Sequence, residues 1–478
     1  MSSTLTYTPI EEIPKIRDDL RTTFNTGVTR SLEWRKRQLY QVARLAQNEV
    51  EAICDAMARD FAKPRFEVIM AELAAVVQRA LTSAESLEEW IKPEHPDVPD
   101  FQKSWKPTIY KAPKGTVLII SPWNYPVILT LQPLIGAISA GCCAILKPSE
   151  AVPHFSKLLA ELLPKYLDTS AYRVINGAVP ETTKILELQW DHIFYTGNGR
   201  VARIVASAAA KHLTPCSLEL GGKSPVVVDA TYDMELAAKR ILWGKCNNAG
   251  QICVSPDYIL VPRHKQDELI KGFEKAYKAF FPEGALDDAN YGSIVNDFHF
   301  QRLSALLDRS RGEKVGGVFG GRRDPARRRF EPAIVRGVDE NDSLLEEEIF
   351  GPILPFIAVD SLDEAIDFIN ARPHSLVLYA FTEDPAVKER LINETQSGGI
   401  AFNDTFQHLA VGELPFSGVG ESGYGYQFLR YSFEAFTHMR SSVDIPRSEE
   451  RNLSLRYPPY KTEAYQMLGG ALNMPIPE

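Results

Sequence analysis

Cys253 stands in the stretch Asn247-Asn248-Ala249-Gly250-Gln251-Ile252-Cys253-Val254-Ser255-Pro256-Asp257-Tyr258, after an Asn/Gly turn and before the apolar run Ile259-Leu260-Val261-Pro262. A sulfur so placed rides on a loop beside a strand and can face a cleft, as a nucleophile must. Cysteines in such settings are also commonly buried and inert. Two further stretches bear on it. Leu218-Glu219-Leu220-Gly221-Gly222-Lys223-Ser224-Pro225 sets a carboxylate ahead of a glycine pair and an apolar strand. Ser121-Pro122-Trp123-Asn124-Tyr125-Pro126 sets a side-chain amide between two prolines at a strand exit. Nucleophile, candidate base and candidate oxyanion donor all fall on loops next to strands, which suits covalent attack on a carbonyl. Plainer readings stand beside these: Glu219 as a strand-end surface charge, Asn124 as a turn residue.

The elements that must hold these residues follow from periodicity. From Ile10 to about Ala84, apolar residues such as Ile13, Ile16, Leu20, Leu39, Val42 and Leu45 recur at helical spacing, with Pro14 and Pro64 as breaks. A connection rich in prolines and acids, Lys92 to Asp100, leads to a strand at Lys106–Lys111. From Gly115 onward, short apolar strands (116–120, 142–146, 172–176, 192–195) alternate with helices (126–140, near 156–166, from near 199). That alternation predicts an open parallel sheet with ligands at the carboxyl ends of its strands. A second α/β unit is expected from Cys216 to about Val411, with strands at 225–228, 259–261 and 334–335 and helices at 267–280 and 362–370. No strict Gly-x-Gly-x-x-Gly fingerprint stands at these strand-to-helix turns. Thr196-Gly197-Asn198-Gly199-Arg200-Val201-Ala202 follows a strand and opens a helix, so it can set a helix N-terminus against a pyrophosphate; a plain turn fits equally well. The aromatic-rich stretch 428–438 either packs against a partner subunit or forms a buried strand within one subunit.

At 478 residues the chain is too long for one compact core and implies two or three domains. Its net charge of -9 is spread out, which argues against nucleic acid as a main partner. The one dense basic run, Arg322 to Arg329, reads as a solvated loop. Six cysteines show no Cys-x-x-Cys pair and no histidine at ligand spacing, so a reduced, metal-free protein is expected. The start, Met1 to Tyr7, lacks signal-peptide character, and no run approaches the roughly 20 apolar residues of a membrane span. A cytoplasmic or peripheral protein is expected, its tail segment 467–474 docking on the protein rather than lying on a membrane surface.

The three stretches around Asn124, Glu219 and Cys253, together with Glu346-Glu347-Glu348-Ile349-Phe350-Gly351-Pro352 and Leu414-Pro415-Phe416-Ser417-Gly418-Val419-Gly420-Glu421-Ser422-Gly423, resemble the aldehyde dehydrogenase superfamily in order and spacing. Lys147-Pro148-Ser149-Glu150, and His408 after Asn403-Asp404, are similar to its class 3 or fatty-aldehyde branch. The resemblance covers nearly the whole chain. It implies an α/β fold with a Rossmann-like cofactor domain (1–90 and 112–215), an α/β catalytic domain (216–411), a bridging β-sheet oligomerisation element (91–111 and 428–446) and a tail (447–478).

The same resemblance implies the chemistry. Cys253 would form a thiohemiacetal and then a thioester, Asn124 and the Cys253 N–H would hold the oxyanion, and Glu219 would activate water. Lys147 and Glu150 would meet the adenosine ribose of NAD, with NADP tolerated; Trp123, Gly197, Asn198, Gly199 and Leu220 would line the cofactor, and Glu348 and Phe350 its nicotinamide end. Ala202 stands where the family usually has a second glycine. Glu346 to Glu348 also reads simply as a solvated helix end. Trp123, Tyr125 and Phe406 suggest a hydrophobic entrance for medium or long aliphatic, apocarotenoid-like or aromatic aldehydes; no basic cluster suggests a charged one. A homodimer without metal or membrane anchor is implied. Two alternatives are an acylating, coenzyme A-dependent relative, which Glu219 disfavours because that route needs no hydrolytic base, and a non-catalytic binding protein on the same fold.

Overall fold

The computed structural model describes residues 5–478, so the first four residues of the stretch Met1 to Tyr7 lie outside it. It divides into two compact units, one of residues 1–90 and 113–437, the other of residues 91–112 and 438–478.

In the larger unit, two sheets carry the site. The first is six-stranded, in the order Gly423–Tyr424, Cys216–Glu219, His192–Thr196, Thr116–Ile120, Cys143–Lys147 and Tyr172–Val174. All its pairings are parallel except that of Gly423–Tyr424. Its central strands are apolar and fully buried, as parallel strands covered on both faces must be. Register sets Ile120 beside Lys147 and Tyr195, and Thr196 beside Glu219, which brings four strand ends to one carboxyl edge. Cys216–Glu219, assigned from sequence to the second α/β unit, therefore belongs to this first sheet: its partner strand is His192–Thr196.

The second sheet has seven strands, in the order Gly399–Phe402, Val377–Phe381, Pro225–Val228, Tyr258–Pro262, Ile353–Val359, Ala333–Arg336 and Glu313–Lys314, the last antiparallel. Glu219 through Lys223 pass from the carboxyl edge of the first sheet to the amino edge of the second. Cys253 and Phe350 lie just before Tyr258–Pro262 and Ile353–Val359 and so belong to that amino edge, not to a carboxyl edge as the βα rule alone predicts.

The N-terminal helices pack on the first sheet. Ser31 caps Leu32–Asn48, and Arg65 to Trp90 is helical throughout, interrupted by a wide π-type turn at Ile69–Leu73. Such turns rotate the residues that follow and recur at functional sites. Most of the stretch 428–438 is not a strand; only Thr437 and His438, which open the strand Thr437–Ser442, are. Leu429–Ala435 is a helix, with Phe433 against Trp90 and Phe436 against His192 and Phe194. The spacing of these aromatics sends Phe433 and Phe436 into the core at a helix and its exit, which an alternating pattern would not.

In the smaller unit, Thr108–Pro113 and Thr437–Ser442 form a two-stranded sheet, and Lys106 pairs with Asp444. The tail carries the helix Thr462–Leu472, on which Tyr465, Met467 and Leu472 are exposed. No helix among the described residues is long and apolar enough to cross a membrane. The basic run folds as a hairpin, Arg323–Asp324 with Arg329–Phe330, whose arginines are met by Asp308, Asp324, Asp287 and Glu331.

Candidate active site

Cys253 follows a turn, Asn247–Gly250, in which Asn248 (φ 50°), Ala249 (φ 52°) and Gly250 (φ 75°) are left-handed. At Gly250 a Cβ would drive into the carbonyl of Gly351, so only glycine serves. The strain at Ala249 and Asn248 is held by a dense set of hydrogen bonds. Glu67 accepts from the Asn248 N–H at 2.9 Å, and Asn248 Nδ2 donates to the carbonyls of Asn124 and Gln251 at 3.0 and 3.1 Å. Gln251 Nε2 donates to the carbonyls of Asn248 and Ser293. This clamp leaves Cys253 half-buried, its thiol donating to Glu219 Oε1 at 3.4 Å. Burial first, and then the charges of Glu219 and Glu348, push the thiol well above its ordinary range, so it rests protonated. Burial likewise pushes Glu219 up to about 7, and its Oε2 is buried without a hydrogen-bond partner. A strand-end surface charge it is not.

Asn124 is buried and donates through Nδ2 to the Gln251 carbonyl at 3.1 Å, which ties the candidate oxyanion donor to the cysteine loop. Its own carbonyl accepts from Lys63 Nζ at 3.1 Å. Lys63 forms a fully buried ion pair with Glu72 at 2.6 Å and lies 3.3 Å from the centre of the Tyr125 ring. The other Glu72 oxygen accepts from the N–H groups of Val127 and Ile128, at the start of helix Ile128–Ala140. Neither Lys63 nor Glu72 announced a role in the sequence.

A cavity of about 400 Å3 is lined by Cys253, Glu219 and Asn124 together with apolar side chains such as Met70, Ile128, Trp243 and Phe416. Tyr125 and Phe406 line it as the sequence suggested, Phe406 edge-on to Trp243 at 5.4 Å. Trp123 does not: it packs on Phe350 and His299 instead. Arg79 also lines the cavity and was missed. The signal existed, since Val76, Arg79, Ala80, Ser83 and Leu87 share the buried face of one helix.

The expected cofactor residues fall on the edge between the sheets. Lys147, at a strand end, is buried with its Nζ 2.8 Å from Glu150, which stays partly exposed. Gly197 donates its N–H to the Glu219 carbonyl, and Asn198 caps the helix Gly199–Ala210 by accepting the Val201 N–H at 3.0 Å. Ala202 is buried in that helix's first turn, its N–H donated to the Asn198 carbonyl. Leu220 is buried, its N–H donated to Ser422. Within the acidic run, Glu346 and Glu347 pair with Arg309 and Arg302 at the surface, whereas Glu348 turns inward. Burial pushes Glu348 up to about 8, and its Oε1 is buried without a partner. A Cβ on Gly221 would strike that carboxylate, so the missing side chain keeps room open there. An orphaned acceptor, a glycine-cleared space, a capped helix N-terminus and a Lys/Glu pair fit a dinucleotide with ribose hydroxyls to donate. No cluster of three or more His, Cys, Asp or Glu suited to a metal occurs among the described residues.

A family model described as "Aldehyde dehydrogenase family" matches residues 7–442. The chain belongs to the aldehyde dehydrogenase family. This aldehyde dehydrogenase is 43% identical over 441 residues to the rat protein named aldehyde dehydrogenase, dimeric NADP-preferring, covering 92% of this chain and 96% of that one. It is 43% identical over 442 residues to aldehyde dehydrogenase family 3 member A2 of Pongo abelii, covering 92% and 90% of the two chains. The solved structure titled substrate bound state of Staphylococcus aureus AldH superposes with a TM-score of 0.92 at 39% identity, over 96% of this chain and 99% of that one. The enzyme is thus a class 3 aldehyde dehydrogenase, oxidising aldehydes to carboxylic acids with NAD(P)+.

Proposed function

We propose that this aldehyde dehydrogenase oxidises medium or long aliphatic, apocarotenoid-like or aromatic aldehydes through Cys253. The reading rests on one observation: a thiol 3.4 Å from a near-neutral carboxylate, at an apolar cavity that Asn124 also lines. Glu219 takes the thiol proton as Sγ bonds to the aldehyde carbon, and passes it to solvent. The carbonyl oxygen becomes an oxyanion held by Asn124 Nδ2 and the Cys253 N–H; one such donor lowers the barrier by about 3 kcal/mol. NAD(P)+, when bound, supplies the acceptor for the hydride that the tetrahedral carbon releases. A thioester on Cys253 remains. Glu219, ionised again, removes a proton from water, whose oxygen bonds to the acyl carbon; the C–S bond breaks and the carboxylate leaves.

Lys147, Glu150 and Glu348 would hold the two riboses, with Trp123 and Phe350 at the nicotinamide end and Gly197, Asn198, Gly199 and Leu220 along the rest. Glu150 favours NAD by repelling a 2′-phosphate, while Lys147 beside it lets NADP bind, in keeping with the NADP-preferring name of the rat relative. A homodimer through the two-stranded unit and a cytoplasmic location complete the proposal, the former in keeping with that relative's description as dimeric. Cys253→Ala is expected to abolish turnover while NAD still binds by calorimetry, and intact-mass analysis of the wild type with aldehyde and NAD should find the acyl group on Cys253. An adduct elsewhere, or turnover by the alanine variant, would falsify the assignment. Product analysis with and without coenzyme A separates hydrolysis from acyl transfer.

A further inference from the structure

Arg79 is a buried cation on the wall of the substrate cavity, and no carboxylate among the described residues pairs with it. Its hydrogen bonds all go to neutral acceptors: Nη1 donates to Gln132 Oε1 and Nη2 to the Leu409 carbonyl, each at 2.9 Å. The guanidinium carbon lies 3.9 Å from the centre of the Phe428 ring. Gln132 is itself fixed by donating to Ser432 Oγ at 3.0 Å, so the guanidinium is held rigidly from two sides. Burial lowers its pKa only to about 10, and it stays charged at neutral pH. A buried, unpaired charge is costly, and a guanidinium has more N–H groups than these two acceptors use. The cavity's own carboxylates are Glu219, engaged with Cys253, and the exposed Glu413, and neither lies within ion-pair distance of Arg79.

We propose that Arg79 receives a carboxylate at the far end of the aldehyde substrate, making the preferred substrates apolar-chain aldehydes that carry a terminal carboxylate. The proposal rests on the reading that Cys253 is the reacting end of the same cavity. Planar, forked donation is the geometry in which arginine recognises carboxylates, and a rigidly held guanidinium loses little freedom on binding one. The apolar walls between the two ends would take the methylene or polyene chain.

The test is a ladder of linear aldehydes of increasing length in matched pairs, one ending in methyl and the other in carboxylate, read as the ratio of their kcat/KM values. At the length that spans the cavity, the wild type should favour the carboxylate at least tenfold, chiefly through KM. Arg79→Met should lower that ratio at least tenfold, and Arg79→Lys should keep it above one. A wild-type ratio at or below one at every length overturns the proposal, as does an Arg79→Met enzyme with an unchanged ratio. Should Arg79→Met not fold, the wild-type ladder and Arg79→Lys decide alone. Failure of the Cys253 reading looks different, because Cys253→Ala would then turn over both members of every pair.

Discussion

Glu219 and Cys253 face each other as two acids of which neither is ionised at rest in mildly acidic solution. Because burial lifts Glu219 to about 7, it is a base only above that pH, so kcat should rise as pH climbs through about 7. Glu219→Gln should remove that limb and lower kcat by about 10²–10⁴-fold, measured by steady-state NADH formation across pH 5.5–9, a window bracketing the pKa by about 1.5–2 units. A limb near 7 that survives the substitution would assign it to another group. If Glu150 meets the adenosine ribose as proposed, Glu150→Gln removes the like charge facing a 2′-phosphate and should raise the NADP/NAD ratio of kcat/KM by about tenfold, the ~1.4 kcal/mol expected of one partly exposed charge. That Cys253, Glu219 and Asn124 share one cavity was legible chiefly because their three stretches, each on a loop beside a strand, resemble one family in order and spacing. Lys63, Glu72 and Arg79 were not, since a charged residue inside an amphipathic helix looks like its solvated face until the fold shows which way it points.

Lys63 follows Phe61, the last residue of helix Val50–Phe61, and Glu72 lies in the π-type turn of the next helix, so their ion pair joins two elements under the Asn124 loop. Lys63→Met would leave Glu72 buried and unpaired, at a cost of about 3–5 kcal/mol. Calorimetry should show a clear fall in Tm, together with a lower kcat as the Asn124 carbonyl loses one of its two donors, Asn248 Nδ2 remaining; adding Glu72→Gln should recover part of the stability. A single variant as stable as the wild type would show that the pair does not brace the loop. Strands and helices with strict periodicity, such as Leu362–Asn370, were readable to the residue. The helix Leu429–Ala435 was not, because its aromatics at 428, 433 and 436 match neither a helical nor an alternating spacing in full.

In the smaller unit the sheet has only two strands, which rarely suffice alone, and Tyr110 and Met439 on those strands are exposed, as are Val443 and Ile445 just beyond them. If that sheet is completed by a second subunit, Met439→Asp should shift sedimentation from dimer to monomer at micromolar protein; a wild type that sediments as a monomer would sink the idea. The alternation that revealed two parallel sheets said nothing of which edges meet, since pairing order is set by long-range packing. Cys253, the proposed nucleophile, rides on the amino edge of one sheet and Glu219, its proposed base, on the carboxyl edge of the other, with Gly221 and Gly222 in the crossing segment. Catalysis is therefore a gauge of how tightly the seam between two slabs is closed. A slip of one ångström would part sulfur from carboxylate while every strand keeps its ladder, so this enzyme should fall silent at a lower denaturant concentration than the one at which circular dichroism records the loss of its shape.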